Sequence, residues 1–577
     1  MRAVLQLFML AALVAFMSGC NLASSQLTHE NLFDRSRVLP IEIQIEPDDW
    51  DQLRKQSRDP GKAFMGLQEE PFSWFKGKVS IDGRDYGSVQ VRKKGFIGSL
   101  DDTFPSLKVK FDQPSDKLPI DGIAVLTLNN NKQDSSLVSQ VLAYDMFNAS
   151  GVQAPRCSFA RVTVNGNDLG IYLNVETMGK PFLQRRYGNK DGFLLEGTLC
   201  DFHPKALQRL DYKNSKGEEP PAKIVRLGEI VTSSGNEVDL KAIEELVDLE
   251  PFLNYWTIES LIGFWDGYTN NQNNYWVYEN TKNGKLYFMP WGADGAFMTG
   301  GFQGMGPRGP ASVYAESMLA NRLFHHPDVQ PRYLKTLRWT LNNVWKEDEL
   351  IAKIDGLEKM LTENPHQRQR NVKQAMRQVR KFIQDRRAVI EKELENWPVK
   401  VSDRPRRPTY LVPVGKMEGS FKTVWLEKPP KVKDPKGTFN LEYEMNGEGV
   451  PLDTLLASIH PTIQAPFGFG PPMPSKPTVD LKLDFLQASD GKPRSLTIRV
   501  NRDELQESKG KPLAVQGMFN DSEQNGGQRF GPFGGGGKVF EGTISFSQVS
   551  QEPSQPVEGK FSLQLSELRG GFMDRGR

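Results

Sequence analysis

The hydrophobic and polar positions of this 577-residue chain change period several times along its length. Ile41, Ile43 and Ile45 alternate with Glu42 and Gln44, which predicts a half-buried strand. Pro47-Asp48-Asp49-Trp50 then starts a short helix with carboxylates at its N-terminus. Val79/Ile81 and Val89/Val91 flank the turn residues Asp82 to Gly87, a hairpin signal. Leu107-Lys108-Val109-Lys110-Phe111 reads as a strand with both lysines on one face. Ile123 to Leu128 is another strand. After Asp134-Ser135-Ser136, the spacing of Leu137, Val138, Val141, Leu142, Met146 and Phe147 predicts a capped helix that Gly151 ends. Phe159 to Val164 and Leu169 to Val175 form a second hairpin around Asn165-Gly166. Glu176-Thr177-Met178 breaks the strand, and Pro181 to Gly188 reads as a short helix. Leu240, Ile243 and Val247, then Leu253 to Trp265, continue as helices.

The second half divides in two. Ser312 to Trp397 is helical, with Val372, Met376, Val379, Ile383 and Ile390 on one face and a solvated Lys/Arg face opposite. Pro398 to Pro408 reads as a basic, Pro-rich linker. From Leu411 onward the pattern alternates in short runs: Val479 to Phe485, Leu496 to Val500, Val539 to Phe546, Phe561 to Leu565. These predict a sandwich-like all-β domain. Three glycine-rich stretches, 301–310, Phe467 to Pro472 and Phe530 to Gly537, read as loops. The last two carry aromatic residues of the kind that contact a glycan or a protein ligand. A chain this long exceeds one core, so two or three domains are expected.

Composition adds the compartment. Charged residues make up 25% and the net charge is +2, so nothing points to a nucleic-acid partner. Arg2 precedes an apolar run from Ala3 to Met17, too short to span a bilayer but suited to a signal peptide. Ser18-Gly19-Cys20 follows and resembles a lipobox, with Met17 where Leu is usual. The expectation is an exported, membrane-anchored bacterial cell-envelope lipoprotein, lipidated at Cys20 and tethered by residues 21–35. Only Cys157 and Cys200 remain, read as two isolated buried thiols. The six histidines are scattered and form no zinc motif.

The candidate chemistry lies between Trp265 and Phe297. Asp266 follows an apolar helical run and precedes Asn270, Asn271, Gln272, Asn273 and Asn274. A strand, Tyr275 to Tyr278, leads through a turn to Leu286 to Met289 and then to Asp294. Kinase-type phosphoryl transfer uses this order of parts: a catalytic Asp, a metal-binding Asn several residues on, and a metal-binding Asp one hairpin later. The plain alternative is two polar loops flanking a hairpin. Upstream, Arg92-Lys93-Lys94-Gly95-Phe96-Ile97-Gly98-Ser99 is a basic glycine turn whose amides suit phosphate oxygens, or simply a solvated loop. The element order of strand, hairpin, glycine turn, lysine strand, helix, hairpin, hinge and helix matches a kinase small lobe leading into a large lobe.

Four segments carry a resemblance. They are Val91-Arg92-x-Lys94-Gly95 with Lys108-x-Lys110-Phe111; Leu126-x-Leu128-Asn129-Asn130-Asn131 with Asp134 and Ser136; Val164-Asn165-Gly166 through Gly170, Tyr172 and Glu176; and Phe182-Leu183 with Arg186-Tyr187-Gly188. Over residues 36–400 this resembles the CotH family of atypical protein kinases. The resemblance implies an α+β, two-lobe kinase-like fold and phosphorylation of protein Ser/Thr hydroxyls with ATP and Mg²⁺. It implies that Lys110 or Lys108 contacts phosphates, Lys110 being favoured because Phe111 follows it. Arg92, Gly95 and Ser99 would cradle the nucleotide, with Glu176 at the hinge or ordering the cleft. Asp266 would orient the acceptor hydroxyl, and Asn274 and Asp294 would hold the metal. The chain departs from the family at Gly292, where an Asp is usual after the Trp, so a weakened Mg²⁺ site or a preference for Mn²⁺ is expected. No acidic residue marks the small-lobe helix, where Ser139 and Gln140 are read at its middle.

The expected organisation is a signal peptide 1–20, tether 21–35, kinase-like domain 36–310, helical large-lobe part 311–398, linker 399–410 and β-rich domain 411–577. The expected substrate is a protein of the cell envelope. The alternative reading is a catalytically degenerate, kinase-shaped surface scaffold or binding protein, which the scarcity of ATP outside the cytoplasm favours.

Overall fold

The computed structural model describes residues 27–570 except 60–61, 63–66, 68–69, 97, 115–116, 121, 215–218, 234–237, 299–308, 364, 429–436, 464–476, 488–491, 509 and 520–537. Cys20 and most of the three glycine-rich stretches lie outside the described residues. Both helices and sheets are present, as an α+β chain requires.

The first seven strands are β1 (Val38–Ile45), β2 (Phe75–Ile81), β3 (Arg84–Lys94), β4 (Ser106–Phe111), β5 (Val125–Asn129), β6 (Cys157–Val164) and β7 (Asn167–Val175). They close into a barrel in the order β1-β2-β3-β4-β5-β7-β6. Ile41, Ile43, Val91, Val109 and Val162 fill its interior, which is why the strands alternate in sequence. Register places Lys94 opposite Ser106, Arg92 opposite Lys108 and Gln90 opposite Lys110. These residues therefore share the outer face.

The helix Ser139–Ala149 packs in a second, larger core with the helix Leu249–Leu261. Ser139 and Gln140 are its first residues rather than its middle. The reason is local: Leu137 has φ +66°, and the Asp134 carboxylate accepts from the backbone N–H of Ser139 at 2.9 Å, so the helix starts there. The same core carries a four-stranded sheet, β8 (Leu194–Gly197), β9 (Asp211–Tyr212), β10 (Tyr275–Asn280) and β11 (Lys285–Pro290), in the order β11-β10-β8-β9. The helices Met318–Phe324, Val329–Asn343, Glu347–Glu363 and Val372–Leu394 complete it.

Two seams join barrel and larger core. At one, Glu176 follows β7 and accepts from the Arg156 backbone N–H (3.0 Å), from Arg185 and from His29 (3.3 Å). At the other, the Gln369 side chain pairs with the Ile171 backbone at 2.9 and 2.7 Å, and Arg368 donates to the Asn130 carbonyl at 2.7 Å.

Beyond residue 409 the structure is almost all β. A six-stranded sheet contains β12 (Tyr410–Val424), β13 (Thr438–Met445), β14 (Glu448–Gly449), β18 (Leu513–Phe519), β19 (Lys538–Gln548) and β20 (Pro556–Arg569). β15 (Leu452–Ile463), β16 (Pro477–Gln487) and β17 (Lys492–Asn501) form a second sheet, and the two share one core. The segment read as a linker is not a free tether. Pro405, Arg406 and Pro408 are buried, because the carbonyl- and amide-rich loop after Asp266 offers the acceptors that Arg406 needs. Among the described residues no helix is long and apolar enough to cross a membrane. Cys157 and Cys200 are free and buried.

Candidate active site

The loop that carries Asp266 hangs from the helix before it. Glu259, wholly buried in the last turn of the helix Leu249–Leu261, accepts from the backbone N–H groups of Tyr268 (2.9 Å) and Thr269 (2.8 Å). It also accepts from the hydroxyls of Thr269 and Tyr255, both at 2.5 Å. Burial pushes its carboxyl up to about 7 against these donors. Glu259 escaped the sequence reading; its signal was a lone carboxylate inside the apolar run from Phe252 to Phe264.

The asparagines then explain themselves. Asn271, Asn273 and Asn274 each donate a side-chain amide to the Asp266 carboxylate, at 2.6, 3.1 and 2.9 Å. Gln272 and Asn274 sit in the left-handed region, at φ +52° and +51°, which Asn tolerates better than most residues. Burial raises the Asp266 pKa and the three amides oppose it. The result is a carboxylate fixed in direction but still reached by solvent.

Asn274 spends its N–H on Asp266, so its Oδ1 faces the other way. An ideal Cβ on Gly292 would lie 3.0 Å from that oxygen, and Gly292 has φ +51°. The Trp291 N–H donates to the Asn274 carbonyl at 3.0 Å, stitching the two loops together. Asp294 follows in a short turn. Its carboxyl is pushed up to about 7 by burial and by the charges of Asp134 and Asp266, with Lys94 opposing. Carboxylates that repel one another in this way suit an added cation. Among the described residues no three His, Cys, Asp or Glu side chains converge as metal ligands. A divalent ion here would draw on Asp294, the Asn274 amide oxygen and oxygens of its own ligand.

Lys94 is the lysine that faces this pair. It ends β3, donates to Asn129 Oδ1 and lies 5.8 Å over the Trp291 ring. Burial and the nearby Lys108 lower its pKa to about 8, opposed by Asp294 and Glu196. A chain of side chains continues from it. Asn129 donates to Gln140 (3.3 Å), Gln140 to the Tyr144 hydroxyl (2.8 Å), and that hydroxyl meets the Gly292 backbone. Lys94 is thereby linked to the helix Ser139–Ala149 through neutral amides rather than through an ion pair.

The other expected residues fall at different distances from this centre. Lys108 is partly buried, its pKa lowered by burial and supported by Glu196. Lys110 is exposed and lies four strand residues beyond Ser106, roughly 13 Å from the Lys94 end. The Arg92 guanidinium stacks 4.8 Å over Trp74. Gly95 has φ +137°, and Ser99 Oγ accepts from the Phe96 N–H at 3.1 Å, so that hydroxyl closes its own turn. Glu176, just after β7, pairs with Arg185 and His29. Trp276 lies 5.8 Å from Trp291, and Lys213 pairs with Glu196 at 2.5 Å while lying 5.2 Å over the Trp276 ring. Among the described residues, the buried indole N–H groups of Trp265 and Trp276 have no hydrogen-bond partner. Lys94 and Lys213 thus each lie over an indole ring, Trp291 and Trp276 in turn.

The sequence pattern described as CotH kinase protein matches residues 95–390, just over half of the chain. The chain belongs to the CotH family. It is 23% identical over 334 residues to "Inner spore coat protein H" of Bacillus subtilis (strain 168), covering 55% of this chain and 85% of that protein. It is 24% identical over 255 residues to "Invasin CotH3" of Rhizopus delemar, covering 39% of this chain and 42% of the invasin. A third relative, "Inner spore coat protein H-like protein" of Bacillus subtilis, is 42% identical over 69 residues, or 12% of this chain and 22% of its own length. Asp266, Asn274 and Asp294 lie inside the CotH match, while Arg92 and Lys94 lie just before it.

Proposed function

We propose that this CotH-family chain is an exported, lipid-anchored atypical protein kinase that transfers the γ-phosphate of ATP to Ser/Thr hydroxyls of cell-envelope proteins. In this reading the barrel is the small lobe, the larger core is the large lobe, and residues 411–577 are an appended β-rich module for a glycan or protein ligand. The observation that carries it is the convergence of Asp266, Asn274 and Asp294 on one side with Lys94 on the other.

Asp266 directs the acceptor hydroxyl and takes its proton, and three amide donors fix the direction of its lone pairs. Lys94, with Lys108 and Arg92 along the same barrel face, holds the phosphates. Asn274 Oδ1 and Asp294 are the residues that would hold the divalent ion. ATP supplies the phosphoryl group, and Mg²⁺ or Mn²⁺ neutralises its charge when bound. The indole N–H groups of Trp265 and Trp276, without acceptors among the described residues, provide further donors.

Gly292 supports a second reading, a kinase-shaped scaffold, because it removes one carboxylate from the metal site. Calorimetry of ATP binding with Mg²⁺ and Mn²⁺, alongside radiolabelled phosphate transfer to envelope extract, separates the two. Metal-dependent binding with transfer that disappears in Asp266→Ala supports catalysis. No nucleotide binding at any metal concentration overturns it in favour of the scaffold.

A further inference from the structure

Arg406 lies beyond the CotH match, in a segment whose composition reads as a linker, yet it is only 5% exposed. Its guanidinium donates to Asn271 Oδ1 (2.9 Å), to the Asn271 carbonyl and to Gln272 Oε1 (3.1 Å). Its own carbonyl accepts from the Gln272 side chain at 2.8 Å, and its N–H donates to the Glu316 carbonyl at 2.8 Å. The strap is tied on both sides. The Ser402 carbonyl accepts from Asn321 at 2.8 Å, and Tyr410, which opens β12, stacks on His203 at 4.6 Å.

A guanidinium can only donate. Its contact with Asn271 Oδ1 therefore forces the Asn271 amide nitrogen to the opposite side, where it donates to Asp266 Oδ1 at 2.6 Å. Without the guanidinium, the Asn271 amide is free to turn its oxygen toward Asp266, and an attractive contact becomes a repulsive one. A lysine ammonium lacks the planar fork that reaches Asn271 and Gln272 together.

We infer that Arg406 is a positioning residue for Asp266, acting through Asn271, and that the strap before β12 is part of the active-site apparatus. The inference rests on the phosphotransferase reading for its kinetic consequence but not for the contact itself. The test uses chain from residue 21 onward in wild-type, Arg406→Ala and Arg406→Lys forms. Steady-state phosphotransfer, thermal midpoint and amide hydrogen exchange over the Asp266–Asn274 loop are read together.

Both variants should lose about 10- to 100-fold in kcat with KM for ATP within about twofold. Exchange in the loop should rise. Methylguanidinium at low millimolar concentration should restore kcat and protection in Arg406→Ala, which a general loss of packing would not allow. Wild-type kcat and loop protection in a folded Arg406→Lys or Arg406→Ala protein overturns the inference. If wild type transfers no phosphate, the kinase reading fails alone: increased loop exchange, reversed by methylguanidinium, still supports the Arg406 contact, and unchanged exchange overturns it. If Arg406→Ala does not fold, Arg406→Lys decides by the same two readouts.

Discussion

Lowering the pH from about 8 to about 6 should weaken metal-dependent nucleotide binding about tenfold through Asp294 alone. The Asp294 carboxyl is raised to about 7 by burial and by Asp134 and Asp266, with Lys94 opposing. A cation on this carboxylate displaces its proton. A group titrating at about 7 is roughly nine-tenths ionised at pH 8 and one-tenth at pH 6, so the competent fraction falls by about ten. The same shift has a sign for stability. The folded chain holds this proton more tightly than the unfolded chain. Asp294 therefore favours folding fully below about pH 4, and that contribution is lost as pH rises through 7. In the metal-free protein at pH 8 the loss is at most about 4 kcal/mol, and less because the carboxyl keeps contact with solvent. A bound cation offsets the loss, so Mn²⁺ should raise the melting temperature much more at pH 8 than at pH 6. Calorimetry with Mn²⁺ and a non-hydrolysable ATP analogue measures the affinity. Asp294→Asn corrects for the titration of the nucleotide itself, and its profile should be about tenfold flatter than wild type. Equal pH slopes for wild type and Asp294→Asn would refute the reasoning.

Other outcomes follow from the same geometry. Lys94→Ala should weaken ATP binding about tenfold or more, and Lys110→Ala should leave it within about twofold, as equilibrium binding of a fluorescent nucleotide would report. Gly292→Asp should tighten Mg²⁺ by adding a carboxylate, yet cost about 1 kcal/mol or more in the metal-free form, because its Cβ meets Asn274 Oδ1 at 3.0 Å in a left-handed backbone. Opposite signs in a metal titration and a melting curve are the check. Glu259→Gln replaces one acceptor oxygen by a donor facing existing donors, and should destabilise the chain by about 2–4 kcal/mol in denaturant titration while loosening the Asp266 loop.

What could be read from the sequence was whatever has a short period or a local turn. The alternating isoleucines of β1, the Asn165-Gly166 hairpin at φ +49° and +80°, and the alternating strands beyond residue 411 all declare themselves within ten residues. The order of Asp266, Asn274 and Asp294 was legible for the same reason, since one loop and one hairpin connect them. The lysine was harder. Lys94, Lys108 and Lys110 share one face of paired strands, so pattern alone puts all three near the cleft; only the register, Lys94 beside Ser106, decides which one reaches Trp291 and Asp294. Glu259 and Arg406 were harder still. A carboxylate in an apolar helix and an arginine between prolines look like noise and solvent. Their partners, Thr269 and Asn271, are chosen by the loop's backbone path and, for Arg406, by a segment 135 residues away. The two residues grip opposite sides of the same loop: Glu259 takes its N–H groups, and Arg406 gives to its carbonyl and amide oxygens. A negative group on the donor side and a positive group on the acceptor side fix the loop without touching Asp266. Among the described residues its carboxylate then accepts only from amide donors, which leaves its remaining lone pairs for an incoming hydroxyl. A sequence reading restricted to the CotH match would contain the first grip and miss the second.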